Sequence, residues 1–507
     1  MRKKLVQLLL IPFLLFYAFP VEAAEKEVKW EEEVIYFIMV DRFNNGDTSN
    51  DFTVNTNDPY AYHGGDIKGI TEKLDYIKDL GATTIWLTPI FANEKKGYHG
   101  YWTEDFYEVE EHFGTLEDFK TLVKKAHEKD MKVILDLVVN HTGYKHPWLI
   151  DLDKEDWFHE KEDIFNWDSQ KEVENGWLFG LPDLNHENDE VKNYLLDMAT
   201  WWIEETDIDG YRLDTVKHVP KWFWEEFSAA VKSVKEDFFL LGEVWHDDPT
   251  YVADYNKTGI QSFVDYPYYN EISTIFAEPN KSLDGLFRVW KRNEYYYDNP
   301  YILGNFVDNH DNVRFVRKAI QKGEDPETRL KLAMTYLYTS PGIPVIYQGT
   351  EIAMDGGEDP DNRRMMDFSV QSPIKEHIAK LAEIRRSYPS LTKGDFQLVY
   401  EEAGMAVFKR TIDDETTIIA INNTTDPQRV EVTEEHLQGD MQLTGLLLGD
   451  TVRSKNNKYE IELDAETAEI FVLEEKTSNY NLYLYILIPI LGLIGFTMLI
   501  RHKRKSN

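Results

Sequence analysis

GYRLD, from Gly210 to Asp214, reads as a short apolar strand whose last residue is a carboxylate. Two other stretches repeat the arrangement: LLGEVW (Leu240–Trp245) carries Glu243, and FVDNHD (Phe306–Asp311) ends on Asp311. A fourth, DLVVNH (Asp136–His141), ends on Asn140 and His141. These runs are apolar on both faces, the pattern of strands buried within a parallel sheet. Strands that alternate with helices and each deliver polar groups at their C-terminal ends predict an α/β chain built on a (β/α)8 TIM barrel, with its site on that face.

Working outward, eight strands are expected near Val34–Val40, Thr84–Leu87, Val133–Val139, Gly210–Leu213, Phe238–Glu243, Ser262–Tyr266, Ile302–Val307 and Pro344–Tyr347. Thr115 with Asp118 reads as a capping box, and Gly81 as the residue that closes the preceding helix. The stretch 142–188, polar and tryptophan-rich, is too long for an ordinary βα connection and predicts a subdomain inserted after the third strand. The barrel is expected over 27–391. From 392 to 475 the pattern turns to short alternating strands such as Thr416–Ile421 and Ala468–Leu473, predicting a C-terminal antiparallel β-sandwich.

The chain has 507 residues, a formal charge of −36 and no cysteine. That charge argues against nucleic acid or an anionic membrane surface as partner, and is indifferent to a neutral polysaccharide. Without cysteine there are no disulfides and no thiolate-bound zinc. Arg2, Lys3 and Lys4 precede an apolar stretch and Val21-Glu22-Ala23, which predicts a signal peptide over 1–23, cleaved after Ala23. Leu482–Ile500 is free of charge and is followed by a basic tail at 501–507. Nineteen helical residues would reach roughly 28 Å, about the hydrocarbon thickness of a bilayer. With the basic tail inside, this predicts a single-pass anchor holding the body at the extracellular face of the cell membrane.

The four strand-end motifs resemble, in order, the four conserved regions of the α-amylase superfamily of glycoside hydrolases, and the likeness runs from about Val34 to Glu475. The resemblance implies a retaining hydrolase of α-glucan polysaccharides or oligosaccharides. Asp214 would be the nucleophile, Glu243 the general acid and base, and Asp311 the stabiliser of the oxocarbenium-like transition state. Arg212, two residues before Asp214 on the same strand face, is expected to keep it ionised. His141, His310 and Lys217 would contact sugar hydroxyls. In GYHGYW (Gly97–Trp102), Tyr101 would stack under the reacting glucose. In DPDNRR (Asp359–Arg364), Asp359 and either Arg363 or Arg364 would fix hydroxyls.

The resemblance also implies two calcium sites. One joins Asn140, Asp183 of LPDLN and the backbone of His218, clamping the insertion to the barrel. The other gathers Asn45, Asp47, Asn50, Asp51, Gly64 and Asp66 from NNGDTSND and HGGD; without the family, the same residues are an Asn/Asp/Gly turn. The expected activity is an α-amylase cleaving internal α-1,4 bonds of starch. The alternative is a neopullulanase, cyclomaltodextrinase or glucanotransferase, towards which GEVW and DPDNRR lean. A non-catalytic, membrane-anchored amylase-like protein would lack the full acidic set, and a starch-binding surface protein would need neither Asp214 nor Glu243. Nothing in the sequence points to a protein partner.

Overall fold

The computed structural model describes residues 29–476 except 434, 435, 438–440 and 457. Eight strands form one parallel sheet: β1 (Ile35–Ile38), β2 (Thr84–Leu87), β3 (Lys132–Leu137), β4 (Gly210–Leu213), β5 (Phe239–Gly242), β6 (Ser262–Phe263), β7 (Gly304–Phe306) and β8 (Ile343–Tyr347). Each pairs with its neighbours in sequence, β1 pairs with β8, and a parallel bridge from Val264 to Gly304 joins β6 to β7. The sheet therefore closes as a (β/α)8 barrel. Apart from Lys132 at the start of β3, every strand residue is buried, because helices cover one face and barrel side chains fill the other.

The strands are shorter than the apolar runs that foretold them. The sixth ends at Phe263, and Tyr266 instead opens the helix Tyr266–Phe276, whose N-cap Asp265 accepts from the Tyr268 N–H. That early end turns the tyrosine ring towards the barrel mouth.

Helical periodicity explains the outer layer. In the helix Asp189–Thr206 the buried residues are Val191, Leu195, Met198, Ala199, Trp202, Ile203 and Thr206, a three- and four-residue spacing. Trp202 is fully buried and its indole N–H donates to the Phe106 carbonyl at 2.8 Å. Replacing it with alanine would cost roughly 3–5 kcal/mol. Thr115 and Asp118 form the reciprocal capping box of the helix Leu116–His127. Between β3 and the Asp189–Thr206 helix, the chain makes 3₁₀ turns at Pro147–Ile150 and Leu152–Trp157 and the short helix Gln170–Asn175.

Beyond the barrel, β9 (Asp395–Glu402), β10 (Met405–Ile412), β11 (Glu415–Asn422), β12 (Gln428–Thr433), β13 (Met441–Gly445), β14 (Thr451–Arg453), β15 (Lys458–Leu463) and β16 (Thr467–Glu475) are antiparallel. One sheet runs β9-β10-β11-β16-β13-β14, and a β12-β15 ribbon faces it. Val407, Ile418, Leu443 and Phe471 pack against Val430, Tyr459 and Ile461 between them. Buried Arg410 on β10 ties this sandwich to the barrel, and buried Arg385 braces the adjoining end of the barrel. Arg410 donates to the carbonyls of Gly394, Thr339 and Leu391 at 2.8–3.1 Å, and Arg385 to those of Tyr338, Leu391, Glu31 and Gly342.

The expected placement on a membrane anchor is corrected. Among the described residues no helix is long and apolar enough to cross a membrane. The signal peptide at 1–23, the span Leu482–Ile500 and the tail 501–507 lie outside the described residues, so that placement has no structural support.

Candidate active site

The polar residues that end β3, β4, β5 and β7 meet at one mouth of the barrel. A cavity of about 590 Å³ there is lined by Asp214, Glu243 and Asp311, with Tyr101, His141, Lys217, His310, Asp359 and Arg363 around them. Parallel strands carry their C-terminal ends to one face, which is why separated motifs converge.

Arg212 is the hub. It is 1% exposed, and its Nη1 lies 2.9 Å from Asp136 Oδ1 and 2.8 Å from Asp214 Oδ1. Its Nη2 lies 2.6 Å from Glu243 Oε1. Asp136 and Arg212 are register partners on β3 and β4, so both side chains point the same way. Asp136 also accepts from the Tyr101 hydroxyl at 2.8 Å and the Trp86 indole at 3.3 Å. Glu243 Oε1 accepts from the Tyr266 hydroxyl at 2.8 Å, and Oε2 from the Thr215 N–H at 3.2 Å.

Three carboxyls around one guanidinium leave an excess of negative charge in a buried space. Burial works against the Arg212 cation, but Asp136, then Glu243, outweigh it and hold it well above the usual arginine range. Burial pushes Asp136 up to about 6 against the pull of Arg212. It likewise pushes Asp214 well above the usual carboxylate range, with Glu243, Asp136 and Asp311 adding to the rise. Arg212 lowers the Asp214 pKa, the direction expected of it, but works against burial. The guanidinium is shared among three carboxyls, and desolvation outweighs its share.

On the facing side Arg363 is part-buried. It donates to the His310 carbonyl at 2.7 Å and pairs with Asp311 and Asp359 at 3.1 Å each. Arg364 turns away to Asp361 and Asp355, so Arg363 is the one that faces the cavity. Tyr101 stacks on His310 with centroids 5.3 Å apart and planes 17° from parallel. His141 lines the cavity. Its Nδ1 sits 3.0 Å from Asn140 Oδ1 and its Nε2 3.2 Å from the Tyr101 carbonyl, two acceptors of which a neutral ring donates to only one. Burial lowers its pKa to about 4, so the ring is neutral. Lys217 donates to the Trp245 carbonyl at 2.9 Å, and its Nζ sits 5.5 Å over Trp167.

The residues of the two expected calcium clusters come together to different degrees. The Asn140 amide Nδ2 lies 2.7 Å from Asp183 Oδ1 and 3.1 Å from the His218 carbonyl. An amide flip would turn these three into oxygen ligands around one point. His159 of the insertion occupies the other Asp183 oxygen at 2.6 Å, a partner the sequence did not reveal. At the second cluster Asn45 Nδ2 lies 3.0 Å from both Asp51 oxygens, while the buried amide oxygens of Asn45 and Asn50 have no hydrogen-bond partner. Gly64, at φ +91°, lies so close that a Cβ would meet Asn45 Nδ2 at 2.6 Å and Asp51 Oδ1 at 2.9 Å. These features fit a hard cation with oxygen ligands. Asp47 and Asp66 are committed elsewhere: Asp47 caps Ser49 and pairs with Lys68, and Asp66 accepts from the N–H groups of Gly46, Asp47 and Gly69. Among the described residues no group of three or more His, Cys, Asp or Glu gathers as a metal site, so both clusters depend on amides and carbonyls.

The family model for the alpha amylase catalytic domain matches residues 37–442. The chain belongs to the α-amylase family. It is similar to a β/α-amylase of Paenibacillus polymyxa (39% identical over 459 residues, 87% of this chain), of whose length it spans only 38%. It is also similar to a cyclomaltodextrinase of Geobacillus thermopakistaniensis, 34% identical over 430 residues, covering 79% of this chain and 70% of that one. Among solved structures, an Anoxybacillus α-amylase is 66% identical, with a TM-score of 0.88 over 89% of this chain and all of that one. As an α-amylase family member the chain is a glycosidase, a hydrolase of glycosidic bonds.

The sequence motifs contained most of this mouth. They missed Asp136 as a site residue, although it opens DLVVNH, and they missed Tyr266, His159 and Trp86. A carboxylate starting a motif on a buried strand was the available signal for Asp136; Tyr266 offered none.

Proposed function

We propose that this protein is a retaining hydrolase of α-1,4-linked glucose oligosaccharides, taking short or cyclic chains as cyclomaltodextrinases do. The observation that carries the reading is the single guanidinium of Arg212 touching both Asp214 and Glu243. Such a bridge keeps the two carboxyls close, which suits the separation of about 5 Å used by retaining pairs.

In this reading the Asp214 carboxylate attacks C1 of the bound glucose while Glu243 gives its proton to the departing O4, and Asp214 becomes covalently bonded to the sugar. Glu243, now ionised, takes a proton from water as that water attacks C1, and Asp214 is released. The anomeric configuration is retained. Asp311, paired with Arg363 but part-exposed to the cavity, stands ready to bind sugar hydroxyls as the ring flattens. Tyr101 offers an aromatic face. Calcium at the Asn45–Asn50–Asp51–Gly64 cluster, and at Asn140, Asp183 and the His218 carbonyl, would bind the folded form and stabilise it.

The cyclomaltodextrinase relative supports short and cyclic substrates over the expected internal cleavage of starch. The Anoxybacillus likeness favours a second reading, α-amylase action on starch. Product analysis with β-cyclodextrin, pullulan, maltohexaose and soluble starch separates them. Ring opening faster than starch cleavage, with α-anomeric products by NMR, is the expected result. Starch cleavage with inert cyclodextrin supports the second reading, and inertness on all four substrates overturns both.

A further inference from the structure

We propose that Tyr266 is a positioning residue that fixes the acidic proton of Glu243 on Oε2, the oxygen that must face the departing sugar. The inference rests on the reading of Glu243 as general acid and adds which of its two oxygens does the work and what enforces the choice.

The two oxygens differ in their surroundings. Glu243 Oε1 lies 2.6 Å from the Arg212 cation in an ion pair and accepts from the Tyr266 hydroxyl at 2.8 Å. An oxygen pressed against a cation and already accepting from a hydroxyl is the less favourable place for a proton, because the cation favours the charged oxygen. Oε2 accepts from the Thr215 N–H at 3.2 Å, a length suited to the weaker acceptor that a hydroxyl oxygen is. The proton therefore resides on Oε2. When the acid ionises, the Arg212 cation and the Tyr266 hydroxyl at Oε1 are already in place to take the charge, with no reorganisation.

Tyr266 is built for constancy. It is 2% exposed, sits in the first turn of its helix, and is wedged between Phe306, edge-on at 5.4 Å, and Trp245, stacked at 4.8 Å with planes 8° apart. Trp245 is 48% exposed and forms part of the cavity wall, so it roofs the Tyr266–Glu243 hydrogen bond and keeps water from competing for it. A tyrosine needed only to fill space would leave its hydroxyl to any acceptor; this one is aimed at the carboxyl oxygen that Arg212 also holds.

The test uses a leaving group that needs an acid and one that does not. Tyr266→Phe keeps the ring and its packing. Its kcat on maltotriose should fall about tenfold, the loss of one charge-assisted hydrogen bond, with KM within twofold. On α-maltosyl fluoride, whose fluoride departs without a proton from Glu243, kcat should fall less than twofold. Equal losses on the two substrates would mean a merely structural role and would overturn the proposal, as would no loss on either. Trp245→Ala supplies an independent arm: opening the roof to water should weaken maltotriose turnover more than fluoride turnover, and an even loss counts against the proposal. A wild-type chain inert on both substrates would defeat the parent reading too; an active wild type with an unaffected Tyr266→Phe defeats the inference alone.

Discussion

Arg212 and Arg410 are both buried arginines, one at the barrel mouth and one at the seam with the sandwich. Arg212 faces Asp136, Asp214 and Glu243, and these hold its charge firmly. Arg410 faces only backbone carbonyls, and burial lowers it to about 9. At the mouth the guanidinium organises charges that must change during a reaction. At the seam it satisfies carbonyls at strand and helix ends that would otherwise be buried without partners. Burial alone thus says little about a side chain's purpose; the charge of its partners says much.

The largest effect expected from this contrast is at the mouth. Asp214→Asn and Glu243→Gln should each lower turnover on maltohexaose by on the order of 10³-fold or more while circular dichroism stays native. Near-normal turnover in either would end the assignment.

Next, the two arginines can be set against each other. Arg212→Lys keeps a cation but loses the fork that reaches three carboxyls, so activity should drop by roughly 10²-fold. Arg410→Met should leave the specific activity of folded protein unchanged and cost about 2–4 kcal/mol in urea unfolding, from orphaned carbonyls. The contrast breaks if the seam variant loses catalysis or the mouth variant keeps it.

A third polar cluster is neither mouth nor seam. If the orphaned amide oxygens of Asn45 and Asn50 are cation ligands, chelator should lower the melting temperature and calcium restore it. At a hundredfold excess over Kd the gain would be about 2.7 kcal/mol. Asp51→Ala should shrink that calcium-dependent increment; a melting curve indifferent to both treatments would exclude the site.

The smallest effect is a pH dependence. Asp136 is raised to about 6 from 3.8, so the folded state holds a proton there that the unfolded chain has released. Its stability contribution is fully present below the unfolded value and is lost as pH rises through about 6. Asp136→Asn should remove that loss and therefore compare better with wild type at pH 8 than at pH 5. Arg410→Met should show the same deficit at both, because Arg410 stays charged throughout. Parallel behaviour of the two variants would erase the distinction between mouth and seam.

The barrel was legible because its signal is local. GYRLD and its companions are apolar runs with polar ends, and strand burial on both faces leaves that mark in composition alone. Helix caps such as Thr115 with Asp118 were legible for the same reason. Strand ends were less so: Tyr266 continues the apolar run of β6 yet belongs to a helix, because Asp265 caps that helix and no local pattern outbids a cap. The choice between Arg363 and Arg364 was also closed to sequence, since adjacent residues differ only in which way the turn aims them.

By itself, then, the sequence determined the eight-strand order, the inserted stretch, the sandwich and the strand-end residues that gather at the mouth. These follow from periodicities of two and 3.6 residues and from the rule that parallel strands end on one face. Only the tertiary structure decided how one guanidinium is divided among Asp136, Asp214 and Glu243, that Tyr266 reaches Glu243, and that His159 reaches Asp183. Those pairings join residues two to 76 positions apart. Inter-strand register, helix entry angles and the path of the insertion set them, and all three are properties of the closed barrel rather than of any segment within it.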